Sequence, residues 1–258
     1  MDYIKVETDG RGVATLTLSR PEKHNALSAQ MMTELETAAR DLATDRNVRV
    51  VVLAASGPSF CAGGDLAWMR EQFDMDPETR RVESRRIATM LGALYDLPQP
   101  LIGRVHGNAF GGGVGLISVC DVAIGVGTAK LGLTETRLGL LPANIGPYVL
   151  ARMGATRASE VFMSARVFGA DEAVRLNLLS RIVAVDDLDA AIEAEVTPYL
   201  ACAPGAVAEA KALMRNLTGR VTEAQVDTAI DALAHRWQSD EAREGVGAFF
   251  EKRKPNWQ

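Results

Sequence analysis

Leu101-Ile102-Gly103-Arg104-Val105, then Asn108-Ala109-Phe110-Gly111-Gly112-Gly113-Val114-Gly115, then Asp121-Val122-Ala123-Ile124-Gly125-Val126 form the stretch whose reading decides the fold. The outer segments are short and apolar, as strands covered on both faces are, and the segment after Gly111 reads as a helix. Strand, glycine turn, helix and strand in close succession predict an α/β core.

The same alternation lies upstream. From Val13 to Leu18, Ala14, Leu16 and Leu18 alternate with Val13, Thr15 and Thr17, which predicts a strand with one strongly apolar face after the turn at Gly10 and Gly12. Met31, Met32, Leu35, Ala38, Ala39 and Leu42 then recur at helical spacing, and Ser28 is placed to cap the free amides of that helix. Val48 to Ala55 is an almost unbroken apolar run and reads as a buried parallel strand. Asp74 to Glu83 is charged and contains Pro77, so it is expected as a mobile connection or short surface helix that walls the site. Beyond Leu150 the chain is expected to be helical, over Asp171–Leu178, Leu188–Leu200 and Ala206–Met214. A further helix follows the capping-box pair Thr222 and Gln225.

Composition narrows the function classes. A chain of 258 residues is long enough to bury a sizeable core, and its net charge of -5 gives no general attraction to nucleic acid. A short basic run, Lys252-Arg253-Lys254, by itself reads as a solvated charge run. Met1-Asp2-Tyr3-Ile4-Lys5 lacks a secretory pattern, and the longest stretch free of Asp, Glu, Lys and Arg, Val105 to Cys120, is too short for a membrane helix. Cys61, Cys120 and Cys202 are odd in number and far apart, which suits reduced thiols in a cytoplasm. No zinc spacing occurs. His24, His106 and Cys61 lack the partner spacing of nucleophilic or metal chemistry and read as packing or local hydrogen-bond residues.

A second glycine segment, Phe60-Cys61-Ala62-Gly63-Gly64-Asp65-Leu66, also follows a strand, so both segments lie where parallel sheets place ligands. Gly113-Val114-Gly115 is followed by Ser118 where a dinucleotide fingerprint wants glycine, and neither a P-loop nor a Gly-x-Ser-x-Gly elbow is present. Glycines at strand-to-helix junctions let backbone amides approach an anion at the positive end of a helix, so two such junctions make an oxyanion hole. The alternative is that they serve only tight turns and close packing.

Several motifs in order make the chain resemble the crotonase, or enoyl-CoA hydratase/isomerase, family over nearly its whole length. Arg20-Pro21-Glu22-Lys23-His24-Asn25-Ala26-Leu27 resembles the family's first CoA-contacting loop. Phe60 to Leu66 and Gly107 to Gly113 resemble its two oxyanion segments. Leu131-Gly132-Leu133-Thr134-Glu135 with Leu138-Gly139 and Pro142 resembles the loop of a catalytic glutamate, and Phe249 to Pro255 the terminal helix. The resemblance implies a crotonase fold of repeated β-β-α turns over residues 1–200, with a helical trimerisation subdomain over 201–258 and a homotrimer or dimer of trimers. It implies an acyl-CoA substrate, with coenzyme A belonging to the substrate, and no metal or redox cofactor. The amides of Gly64 and Gly112 are expected to hold the thioester oxygen. Lys23, Ala26, Ala62, Asp65, Leu66, Phe249 and Lys252 are expected to contact coenzyme A.

In one respect the chain departs from the family pattern. Hydratases of this family typically use two glutamates, and here Glu135 matches the second while Gly115 occupies the position of the first. The sequence around Phe110–Gly115 and Leu133–Tyr148 resembles bacterial 3-methylglutaconyl-CoA hydratases. That likeness implies a branched or carboxylated acyl group in leucine or fatty-acid breakdown, with Gly115, Arg137 and Asn144 toward its acyl end. Rival expectations are an enoyl-CoA isomerase using one glutamate, a carnitine-type dehydratase, an enolate-protonating decarboxylase, and a noncatalytic CoA- or RNA-binding role.

Overall fold

The computed structural model describes residues 1–257. Ten strands form two sheets, and each turn of the core contributes one strand to each. In the first turn β3 (Val50–Ala55) leads into β4 (Ser59–Cys61), and in the second β5 (Leu101–Val105) leads into β6 (Asn108–Phe110). In the third β7 (Val122–Val126) leads into β8 (Lys130–Gly132). The larger sheet runs β1 (Ile4–Thr8), β2 (Val13–Leu18), β3, β5, β7, β10 (Arg181–Val183), and the smaller runs β4, β6, β8, β9 (Val167–Gly169). Pairing in the larger sheet is parallel except for the β1–β2 hairpin. This is the expected α/β crotonase fold.

Helix α1 (Ala29–Thr44) has Ser28 as its cap, accepting from the Met31 amide at 3.3 Å, and it buries the six residues the periodicity picks out. A helix α2 (Leu66–Asp74) and a long helix α3 (Pro77–Tyr95) link β4 to β5. Asp74 to Glu83 is therefore not a loose connection: it ends α2 and supplies the first turns of the 19-residue α3. Asp76 accepts from the amides of Glu78 and Thr79, both at 3.0 Å, and Pro77 at the first helical position needs no amide partner. The second turn closes with α4 (Gly112–Val119), between β6 and β7.

The last third contains α5 (Gly146–Met153), α6 (Ala155–Phe162), α7 (Ala170–Arg175), α8 (Leu188–Leu200), α9 (Pro204–Thr218), α10 (Glu223–Trp237) and α11 (Asp240–Phe250). It is not purely helical, because β9 and β10 add an edge to each sheet. The Thr222–Gln225 capping box forms at the start of α10. Helix α9 is tied to the core through Asp121, which takes Lys211 Nζ at 2.5 Å and Arg215 at 3.1 Å, with all three side chains largely buried. Helix α11 lies against the turn after β8 so closely that a β-carbon at Gly245 would fall 2.5 Å from the Leu138 carbonyl. A small second core of Leu140, Ala143, Leu233, Trp237, Ala242 and Val246 results. Among the described residues no helix is long and apolar enough to cross a membrane.

Candidate active site

The two glycine segments meet back to back. Gly63 has φ +97°, and a β-carbon there would lie 3.0 Å from the Phe110 carbonyl oxygen, so only glycine allows this approach. The parallel bridge of Leu27 to Gly64 uses the groups on either side of Gly64. Leu27 donates to the Gly63 carbonyl at 2.7 Å and Asp65 donates to the Leu27 carbonyl at 3.0 Å. Alternation along an extended backbone therefore turns the Gly64 amide away from Leu27. Gly112 is the first residue of α4, where an amide has no acceptor within the helix. A β-carbon at Gly112 would sit 3.8 Å from the Gly63 carbonyl carbon, the atom bonded to the Gly64 nitrogen. The Gly63–Gly64 backbone thus meets the start of α4, the end of a helix at which a developing negative charge is stabilised.

Glu135 opens a 3-10 turn (Glu135–Leu138) directly after β8. Gly111, at φ +47°, lets the carboxylate come close: a β-carbon there would be 2.9 Å from Glu135 Oε1. Part of the residue reaches solvent, yet Oε2 is buried and has no hydrogen-bond partner among the described residues. Burial without a counter-charge pushes the carboxyl up to about 7, against a weaker lowering by its own backbone amide. Glu135 is therefore poised between base and acid near neutrality.

Gly64, Gly112, Glu135 and Asn144 line one pocket of about 80 Å³. Its apolar wall includes Trp68, Met69, Ile87, Leu140, Ile145 and Leu233, and its polar groups include Gln72, Ser84 and Trp237. Sequence reasoning missed the residues from α2, α3 and α10. Their only signal is an apolar helical spacing, which does not distinguish a pocket wall from ordinary core.

Two expectations at the acyl end need correction. Gly115 does not face the pocket; a β-carbon there would lie 2.6 Å from Ile145 Cγ2 and 3.0 Å from Leu91 Cδ1, so its space is already filled. Arg137 is exposed and donates to the Ala165 carbonyl at 3.1 Å, outside the pocket lining.

Lys23 closes a short 3-10 turn (Pro21–Lys23), Ala26 and Ala62 lie on neighbouring loops, and Leu66 opens α2. The Ala62 amide donates to the His24 carbonyl at 3.0 Å, and Arg20 donates both to the Ala26 carbonyl at 3.2 Å and to Asp65 at 2.6 Å. Lys23, Ala62 and Leu66 are exposed there. The Asp65 side chain is already engaged: Oδ1 caps α2 through the amides of Ala67 and Trp68, and Oδ2 pairs with Arg20. Desolvation raises the Asp65 pKa, but these hydrogen bonds and the guanidinium outweigh it and hold the carboxyl below its usual value. Its side chain is a structural anchor, not a free ligand group. Phe249 and Lys252 are exposed at the end of α11, where the neighbouring Phe250 ring stacks with Arg70 at 5.5 Å. No hydrogen bond or ion pair joins Phe249 or Lys252 to the Lys23 loop among the described residues. His24 Nδ1 sits 3.0 Å from Ser59 Oγ, His106 Nε2 meets the Gly57 carbonyl at 2.8 Å, and Cys61 is buried, so all three act locally.

The family model for enoyl-CoA hydratase/isomerase matches residues 8–258. An enoyl-CoA hydratase from Mycobacterium avium superposes with a TM-score of 0.88 at 34% identity, with both chains covered completely. One from Mycobacterium smegmatis gives 0.81 at 37% identity, covering 100% of this chain and 99% of the other. The mitochondrial methylglutaconyl-CoA hydratase of Mus musculus is 30% identical over 98% of this chain and 81% of its own length. With the paired glycine amides and the lone buried glutamate in one pocket, these matches establish that the chain belongs to the enoyl-CoA hydratase/isomerase family.

Proposed function

We propose that the protein adds water reversibly across the double bond of an enoyl-CoA thioester, with Glu135 as its sole proton-transferring side chain. The observation that carries this reading is an unpartnered buried carboxylate beside two free amides at the start of a helix. Ionised Glu135 takes a proton from water as the water oxygen bonds to the β-carbon. The displaced electron pair moves onto the thioester oxygen, held by the amides of Gly64 and Gly112, each such donor contributing about 3 kcal/mol in the transition state. Protonated Glu135 then gives its proton to the α-carbon. A carboxyl pushed up to about 7 populates both forms near neutrality, as this sequence requires.

The surface of Lys23, Ala26, Ala62 and Leu66 is proposed to receive coenzyme A, with Asp65 positioning that loop through Arg20. For the acyl group, the mouse relative's name supports the 3-methylglutaconyl expectation. 3-Methylglutaconyl also carries a free carboxylate, and the pocket lining contains no lysine or arginine to offset it, so a similar branched acyl group without that carboxylate fits the site better. Double-bond migration is the second reading, favoured by the filled space at Gly115, which leaves one carboxylate where hydration by two is the familiar arrangement.

The test follows loss of enoyl absorbance on crotonyl-CoA and 3-methylglutaconyl-CoA with mass detection of added water. Hydration is expected, with kcat/KM rising with pH through about 7 as Glu135 ionises. Glu135→Gln is expected to lose about 10²–10⁴-fold. A shifted double bond without added water would establish the isomerase instead, and full activity in Glu135→Gln would refute both.

A further inference from the structure

Trp237, Gln72, Ser84 and Asn144 reach the pocket from α10, α2, α3 and the loop before α5. Three of the four are more than nine-tenths buried: Trp237 is 6%, Gln72 2% and Ser84 0% exposed. Trp237 Nε1 and Asn144 Oδ1 are buried without hydrogen-bond partners among the described residues. Ser84 donates to Gln72 Oε1 at 3.1 Å, which fixes that amide, and its Nε2 has no hydrogen-bond acceptor among the described residues. The Trp237 ring itself is held, edge to face on Phe73 at 4.9 Å. Rigid, desolvated polar groups of this kind are costly unless a ligand satisfies them.

Resting on the reading that this pocket takes the acyl part of a CoA thioester, we infer that the acyl group carries an uncharged oxygen, as a hydroxyl or keto group, away from the reacting carbons, and that Trp237 Nε1–H donates to it. A plain hydrocarbon chain would cover these groups and leave them unpaired. A carboxylate would be buried beside Glu135 with no lysine or arginine in the lining to offset it. A hydroxyl matches the mixture of donors and acceptor, because whichever way the Asn144 amide is turned it presents one of each. Trp237 and Gln72 are assigned as specificity-determining residues for this oxygen.

Calorimetric binding of two unreactive saturated thioesters tests this: 5-hydroxypentanoyl-CoA and hexanoyl-CoA, which differ by a hydroxyl in place of the terminal methyl. The full-length protein is expected to bind the hydroxylated thioester about tenfold more tightly. Trp237→Phe, which removes the N–H together with the five-membered part of the indole, is expected to erase the preference, the hydroxylated thioester losing more affinity than hexanoyl-CoA. Gln72→Leu is the second variant, expected to reduce the preference should the first prove unfoldable. Equal affinities in the unaltered protein, or a loss in Trp237→Phe shared equally by both ligands, would overturn the inference. Equal binding with Glu135-dependent water addition intact defeats this inference alone. Failure of both thioesters to bind defeats the proposed function with it.

Discussion

Replacing Glu135 by Gln should make the protein more stable while removing its chemistry, and the gain should depend on pH. In the unfolded chain a glutamate titrates at its ordinary value of about 4.5, whereas burial lifts the folded-state carboxyl to about 7. A raised folded pKa means the folded state binds the proton more tightly. The group therefore favours folding at low pH, and that contribution is lost as pH rises through the folded pKa. At about pH 8 the buried carboxylate costs roughly 3 kcal/mol, from about 2.5 pH units at about 1.4 kcal/mol each. At about pH 5 the cost falls to roughly 1 kcal/mol. Part of the residue reaches solvent, and screening there lowers both figures. Glutamine is isosteric and uncharged, so urea unfolding of Glu135→Gln against the parent at the two pH values should show the variant gaining more at the higher one. A stability difference that is the same at both, or a variant less stable at the higher pH, would refute the claim that an uncompensated buried charge is kept here for catalysis.

Gly115→Ala should destabilise the protein by about 1–3 kcal/mol through overpacking against Ile145 and Leu91, and adding Ile145→Ala should recover part of the loss in a double-mutant cycle of unfolding free energies. Additive losses would show that the glycine is required for some other reason. Asp121→Asn should cost about 3–5 kcal/mol because it leaves Lys211 and Arg215 buried without their carboxylate. Limited proteolysis should then cut first near α9, and an unchanged urea midpoint would mean that the apolar contacts of α9 hold it unaided.

Periodicity carried the four inner strands of the larger sheet, β2, β3, β5 and β7, and α1 because those elements bury whole faces, while the more exposed edge strands β1 and β10 went unread. Val50–Ala55 and Leu101–Val105 are buried runs, and the apolar positions of α1 are those its spacing marks. The smaller sheet was illegible for the opposite reason: β4, β6, β8 and β9 are three residues each, too short for a period to show. The long helix α3 was signalled by Asp76-Pro77, a capping residue followed by a helix-starting proline, yet charge density masked it as a connection. At the site, motif order located the amides and Glu135, which are properties of local backbone. The pocket wall is a property of packing between distant elements. Leu233 and Trp237 recur at helical spacing, so their burial could be read, but not that the buried face closes over Glu135. Arg137 shows the converse, since motif position placed it near the chemistry and the 3-10 turn aimed it outward.

The embrace of the Glu135 turn by α11 has a bearing on biosynthesis. Gly63, Gly64 and Gly112 emerge from the ribosome in the first half of the chain, and Glu135 soon after. The wall from Leu233 and Trp237, and the close seat of Gly245 on Leu138, exist only once α10 and α11 are translated. A nascent chain therefore carries every reacting group long before it has a dry enclosure to use them in. The enclosure thus forms later in synthesis than the groups it encloses.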